Sequence, residues 1–146
     1  MKGPTTALFT LIVAAVLLAS LPACSAHATS VQVHMMPMDQ LSPEVQAAPA
    51  GVRTAYQFAA ANPQVSMNVP CYCGCNAIGH TSNFKCYVSS VEPGGVFTYD
   101  RHALGCATCV DITLDSMRLF KEGKTVPEIK AYVDATYSRF GESTGP

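Results

Sequence analysis

The sequence contains no tryptophan and little charge. Among its 146 residues only 13% are Asp, Glu, Lys or Arg, and the net charge is −1 at pH 7. The basic residues form no cluster, which argues against a nucleic-acid partner because such a surface concentrates Lys and Arg. Much of the apolar content is Ala and Val, so we expect a modest hydrophobic core that disulfides or a metal would help to stabilise.

The common signatures of catalysis are also missing. The sequence has no Gly-x-Ser-x-Gly, P-loop or His-Glu-x-x-His motif, and no acid–base pair stands out. Cys109 is followed by Val110 rather than His, which excludes c-type haem attachment at the Cys106–Cys109 pair. The pair also lacks the preceding βαβ pattern of a thioredoxin-like site. We therefore expect a binding protein and not an enzyme.

The first 23 residues have the pattern of a signal peptide. Lys2 precedes an apolar stretch at residues 7–19, which is shorter than the roughly 20 residues that a membrane-spanning helix needs. Residues 21–24 read Leu-Pro-Ala-Cys and resemble a bacterial lipobox, in which the cysteine carries the lipid anchor. The sequence predicts an exported lipoprotein, attached through Cys24 to the outer face of the bacterial cytoplasmic membrane or held in the periplasm. An ordinary secretory signal is the alternative.

Residues 24–41 are expected to form a tether, because they show no helical periodicity and few large apolar side chains. The segment contains His34, Met35, Met36 and Met38. Imidazole and thioether groups are ligands for Cu(I). We favour a flexible linker with incidental methionines, because the short cluster is not repeated, and its role stays open.

Residues 42–146 are expected to form one small, mainly α-helical, metal-binding domain of about three helices. Ser-Pro-Glu at residues 42–44 predicts a helix start of a turn or two. Apolar side chains recur at helical spacing over residues 51–61 and 102–121. The last helix begins with a capping box at Thr125 and extends to Phe140.

An irregular cysteine-rich loop and a short β-hairpin separate these helices. Residues 66–86 show no regular period and contain four cysteines. Two β-prone runs, 87–91 and 96–99, flank a Glu-Pro-Gly-Gly turn, which predicts the hairpin. The expected architecture is a helical domain wrapped around the cysteine-rich loop.

The cysteines carry the functional information. Apart from Cys24, the chain has six, which are Cys71, Cys73, Cys75, Cys86, Cys106 and Cys109. An even number in an exported chain first suggests disulfides, and six cysteines allow 15 pairings. However, a disulfide within Cys-x-Cys is strained, and three thiols within five residues favour metal chelation. Gly74 would permit the sharp fold that chelation by this loop needs.

Further ligands are expected around this loop. Cys106 and Cys109 would share one apolar face of the helix predicted over residues 102–121, so that both sulfurs point at the core. His80 and His102 could each bring an imidazole to the same cluster. For each histidine a surface or supporting role is the alternative.

Soft thiolates bind Cu(I), Zn(II) and iron–sulfur clusters. One zinc ion takes four ligands, so six thiols would leave two unused or demand two sites. Cu(I) accepts two or three thiolates, and bridging thiolates can hold several copper ions together. The sequence therefore favours Cu(I) for storage, detoxification or transfer, with zinc as the alternative metal. The membrane and metal ions are the partners that follow from the sequence, which identifies no protein partner.

Two other classes of function stay open. The first is a disulfide-stapled structural or binding lipoprotein without metal. The second is a thiol–disulfide oxidoreductase that uses Cys106 and Cys109, which requires at least one exposed thiol of low pKa. Their expected position on an apolar helix face argues against it.

Residues 70–75 spell Pro-Cys-Tyr-Cys-Gly-Cys and resemble the motif of the bacterial PCYCGC-motif lipoproteins. The likeness extends over residues 50–137 and includes the segments 52–63, 79–86 and 102–111. The resemblance implies an exported, lipid-anchored domain in which the six cysteines, His80 and His102 belong to one pattern. It implies no particular activity, and the N-terminal methionines lie outside it.

Overall fold

The computed structural model describes residues 31–145, so the predicted signal peptide and Cys24 lie outside the described residues. This part of the chain folds into five α-helices, which are α1 (Pro43–Gln46), α2 (Ala50–Ala61), α3 (Pro63–Ser66), α4 (Ala107–Lys121) and α5 (Val126–Tyr137). It also contains two strands, β1 (Val88–Glu92) and β2 (Val96–Tyr99), and several short 3-10 turns. The prediction of a small, mainly helical domain around a cysteine-rich loop is confirmed.

Helix α2 lies at the centre of the hydrophobic core. Tyr56, Phe58 and Ala59 on this helix are fully buried, and α2 packs against α4, which in turn packs against α5. The rings of Phe58 and Phe120 meet edge to face with centroids 6.4 Å apart. Burial of a side chain such as Phe58 contributes roughly 1.5–3 kcal/mol. These contacts form a scaffold on which the cysteine-bearing segments are held.

Helix α4 begins five residues later than predicted. The predicted start, His102, instead opens a separate 3-10 turn, His102–Leu104, and its backbone N–H donates to a carboxylate oxygen of Asp100 at 2.7 Å. Gly105 follows, and Cys106 has an extended backbone with φ −116° and ψ 97°. The helix starts late because glycine is a poor helix former and because the Asp100 carboxylate accepts a backbone hydrogen bond in a separate local turn.

The later start corrects the prediction for the Cys106–Cys109 pair. Cys106 is the N-cap of α4 and is half-buried, whereas Cys109 lies in the first turn and is fully buried. The expectation that both thiols occupy one buried helical stripe was therefore wrong. Of these two cysteines, only Cys109 lies within the helix on its buried side.

Helix α5 starts where its sequence predicts. The capping box at Thr125 and Glu128 is formed, with the Thr125 N–H donating to the Glu128 carboxylate at 2.8 Å. The helix ends at Tyr137 and continues as a 3-10 turn, Ser138–Phe140. The predicted hairpin is also present, as β1 and β2 pair in antiparallel fashion.

Residues 31–41, the described part of the predicted tether, run beside α2. Met36 is 8% exposed, and its backbone N–H and C=O bond to the backbone and side chain of Gln57 at 3.0 and 2.7 Å. Met35 and Met38 are each 39% exposed. Among the helices that the structure describes, none has the length and apolarity needed to cross a membrane.

Candidate metal centre

The loop at residues 70–75 is fixed by backbone contacts on both sides of Cys71. The Cys71 N–H donates to Thr144 Oγ1 at 2.9 Å, and the Thr144 N–H donates to the Cys71 carbonyl at 3.0 Å. Gly74 adopts φ 82°, the left-handed conformation that glycine reaches without a steric penalty. The chain therefore reverses between Cys73 and Cys75, which confirms the expected role of Gly74.

A C-terminal strap, residues 141–145, covers this loop. A Cβ at Gly141 would lie 2.9 Å from the Tyr72 carbonyl oxygen, so only glycine permits this close approach. The Tyr72 hydroxyl also donates to the Asp134 carboxylate at 2.7 Å, which links the loop to α5. The loop is thus held between the strap and the last helix.

Cys109 is positioned by a buried polar network. Its carbonyl oxygen accepts a hydrogen bond from the Tyr87 hydroxyl at 2.8 Å. Thr113, one turn further along α4, lies 2.7 Å from both the Tyr87 hydroxyl and the Asn83 amide oxygen. Asn83 opens the turn Asn83–Cys86, so the same network connects α4 to the segment that carries Cys86.

The thiols converge. The Cys71 sulfur lies 3.2 Å from the Cys109 sulfur and 3.4 Å from the Cys73 sulfur. The Cys73 and Cys109 sulfurs are 3.5 Å apart, and those of Cys75 and Cys86 are 3.6 Å apart. A disulfide bond is about 2.05 Å long, and all six cysteines of the described chain are free thiols. The predicted thiol cluster is present, and no disulfide framework is formed among these residues.

The cluster contains three groups of four possible metal ligands. Within each group the donor atoms all lie within 4.8 Å of one another. The groups are Cys71–Cys73–Cys75–Cys109, Cys73–His102–Cys106–Cys109 and Cys75–Cys86–His102–Cys109. Cys109 is the one donor that occurs in all three. Each group offers the donor number that a tetrahedral zinc ion requires, and the shared sulfurs suit bridged Cu(I) ions.

The two predicted histidines occupy different positions. His102 Nε2 lies 3.3 Å from the Cys73 sulfur, and His102 belongs to two of the donor groups. His80 belongs to none of them. Its ring meets that of His102 edge to face with centroids 5.2 Å apart, and its Nε2 lies 3.7 Å from an Asp100 carboxylate oxygen. His80 therefore lies beside His102 and Asp100, outside the three donor groups.

A family comparison covers most of the chain. The family described as proteins of unknown function with a PCYCGC motif matches residues 16–145. The chain belongs to this PCYCGC-motif family. No curated protein and no solved structure shows a significant match to the chain. The motif that defines the family is the loop that the strap holds in the structure.

The thiols of the PCYCGC-motif centre differ in acidity. The pKa of Cys106 is lowered to about 5, chiefly because the Cys109 thiol donates a hydrogen bond to it. The same Cys109 thiol lowers the pKa of Cys71. Burial raises the pKa of Cys73 and that of Cys75, while donation to Cys106 and Cys71 raises the pKa of Cys109. Because several thiols keep their protons, a metal must displace protons when it binds.

Part of this PCYCGC-motif centre could not be found by sequence reasoning. Thr144 lies 73 residues from Cys71 in a segment without a motif, and nothing in the sequence pairs the two. Tyr87 falls in a β-prone run and Asn83 in the cysteine-rich loop, and neither carries a signal that connects it with Cys109 or Thr113. Thr113 was the one member with a signal, since it follows Cys109 at helical spacing.

The strap makes a testable contribution to the centre. Replacing Thr144 by valine keeps the shape but removes the oxygen that accepts from the buried Cys71 N–H, which costs about 1–3 kcal/mol when a buried donor is left unpaired. We expect a lower free energy of unfolding in urea and weaker metal binding. Thr144→Ser retains the acceptor and should behave as the unaltered chain. Equal stability and metal affinity for the valine and serine variants would contradict the assigned role.

Proposed function

We propose that this chain is an exported, lipid-anchored metal-binding protein that holds Cu(I) in one shared thiolate centre, for storage, detoxification or transfer. The observation that carries the proposal is the convergence of six free thiols and His102 into overlapping donor groups around Cys109. It acts by binding and not by catalysis.

The donor set favours copper over zinc. Every donor in the first group is a sulfur, and sulfur also makes up three of the four donors in the other two groups. Isolated zinc sites use four ligands that belong to one ion. Here the groups overlap at Cys73, Cys75, His102 and Cys109, so separate four-ligand sites cannot all be filled. Cu(I), with two or three soft ligands per ion, suits shared sulfurs.

Export and anchoring are supported by the sequence at residues 1–24. The signal-peptide pattern and the lipobox-like Leu-Pro-Ala-Cys at residues 21–24 predict attachment through Cys24 at the outer face of the cytoplasmic membrane or in the periplasm. A protein there would meet copper before the metal reaches the cytoplasm. The two features together suit a protein that intercepts or hands on copper at the membrane.

Metal analysis tests the proposal. The mature chain is purified anaerobically from cells grown with both copper and zinc, and bound metals and free thiols are counted before and after denaturation. We expect more than one copper ion per chain and thiols that react fully only after copper removal and denaturation. If zinc were the only metal found, the centre would be a zinc site and not a copper site. Three disulfides without metal would exclude the function.

A second function has one observation in its favour. Cys106 is the half-buried N-cap of α4, and a thiolate at a helix N-terminus is the usual arrangement of a reactive thiol in an oxidoreductase. Cys106 and Cys109 would then exchange a disulfide with another protein. Equilibration with glutathione redox buffers decides between the two. A reversible Cys106–Cys109 disulfide in the metal-free chain, coupled to reduction of a disulfide substrate, would favour the oxidoreductase.

A further inference from the structure

The thiol centre is exposed on one side. Cys71, Cys86 and Cys109 are fully buried and Cys75 is 3% exposed. Cys73 and Cys106 are half-buried, as is His102. These three accessible residues belong to a single donor group, in which only Cys109 is buried. The accessible ligands are therefore gathered around one metal position.

We infer that the centre has two kinds of metal position: an exchangeable outer position held by Cys73, His102, Cys106 and Cys109, and slowly exchanging inner positions held by the buried sulfurs. The inference rests on the proposed function and specifies how metal enters and leaves. The incoming partner at the outer position is a soft donor, a thiolate or thioether, that takes Cu(I) by ligand exchange.

Ligand exchange at Cu(I) explains why exposure matters. An incoming donor must reach the ion before an existing ligand leaves, because two-coordinate and three-coordinate Cu(I) can accept one more soft ligand. At the outer position the ion would be reached past Cys73 and Cys106. An ion held by Cys75, Cys86 and Cys109, three sulfurs of one donor group, is enclosed by buried side chains, so the protein must open before a competitor touches it.

The position of Cys106 also favours exchange. Cys106 is half-buried at the N-cap of α4, so its side chain has more room to rotate than the fully buried side chain of Cys109. Cys109 lies within the helix, and its carbonyl is held by Tyr87. Cys106 is therefore the ligand that can release the ion, while Cys109 stays in place and shares it with the inner positions.

Competition kinetics test the two positions. The full mature chain is loaded with Cu(I) under anaerobic conditions and challenged with the Cu(I) chelator bathocuproine disulfonate. We expect two phases of copper release that differ by at least about tenfold in rate. A single phase would overturn the inference while leaving copper binding intact. Failure to load copper at all would overturn both the inference and the proposed function.

Matched variants assign the phases. Cys106→Ser removes an outer ligand, and serine is a preferred N-cap, so α4 should still begin at the same residue. We expect this variant to lose the fast phase and keep the slow one. Cys86→Ser removes a buried ligand and should keep the fast phase. The same release profile in both variants would overturn the assignment.

Pulse alkylation of the unaltered chain gives an answer independent of folding in the variants. After the fast copper fraction is removed, N-ethylmaleimide is added briefly and the labelled cysteines are identified by mass spectrometry. We expect label at Cys73 and Cys106 and protection at Cys71, Cys75 and Cys86. Equal labelling of all these thiols would overturn the inference.

Discussion

Replacing Cys109 by serine is expected to reduce metal binding more than replacing any other single cysteine. Cys109 is the one donor common to the three groups, and its sulfur lies 3.2 Å from that of Cys71. Loss of an outer-sphere partner costs roughly 10–100-fold in metal affinity, and loss of a shared ligand should cost more. We expect the copper content after gel filtration to fall to a small fraction of the unaltered value.

The matched control for this change is Cys86→Ser. Cys86 is as deeply buried as Cys109 but belongs to one donor group only. The two variants therefore suffer a similar change in the core and differ in how many groups they disrupt. Copper content is measured for both by elemental analysis after anaerobic loading. If both variants retain the same amount of copper, Cys109 is not the ligand that the bound copper ions share.

Metal loading is expected to raise the thermal stability of the domain by upwards of about 10 °C. A ligand that binds only the folded state adds about 4 kcal/mol at 1,000 times its dissociation constant. The effect should be large here because the donors come from loop residues 71–75, the Asn83–Cys86 turn and the start of α4, so one centre joins segments distant in the sequence. The apolar core alone is modest, which increases the relative weight of the metal.

Thermal unfolding followed by circular dichroism measures this effect. The chain is compared as loaded with Cu(I), after chelator treatment, and with Mg²⁺, a hard cation that prefers oxygen ligands and should change nothing. Cys109→Ser should show little response to copper. An unfolding temperature unaffected by copper, in a chain that demonstrably binds it, would mean that the ions bind outside the folded centre.

The parts of the fold that sequence predicted well are those governed by local interactions. The α5 capping box depends on Thr125 and Glu128, three residues apart, and the hairpin turn on Pro93 and two glycines. Such signals need only neighbouring residues. The thiol set was predicted for a similar reason, since the spacing of Cys71, Cys73 and Cys75 disfavours disulfides on geometric grounds alone.

The parts that failed depend on tertiary contacts. The apolar period across residues 102–121 predicted one helix, but the Asp100 carboxylate captures the His102 N–H and Gly105 weakens the helix at that point. His80 was predicted as a possible ligand of the centre, and its edge-to-face contact with His102 joins two residues distant in the sequence, which no local pattern predicts. Periodicity reports which side of a helix is apolar, not where competing hydrogen bonds end it.

The pairing of Cys71 with Thr144 has a consequence for the order in which the centre is completed. The two residues are 73 positions apart, and synthesis delivers the chain from its N-terminus, as the proposed export would. The motif loop therefore emerges long before the residue that clamps it. Until residue 144 follows, the three thiols of the loop exist without their strap, open to oxidation or to the wrong metal. In the protein proposed here, copper acquisition would thus be one of the last events in maturation, after residue 144 has followed the six cysteines of the domain.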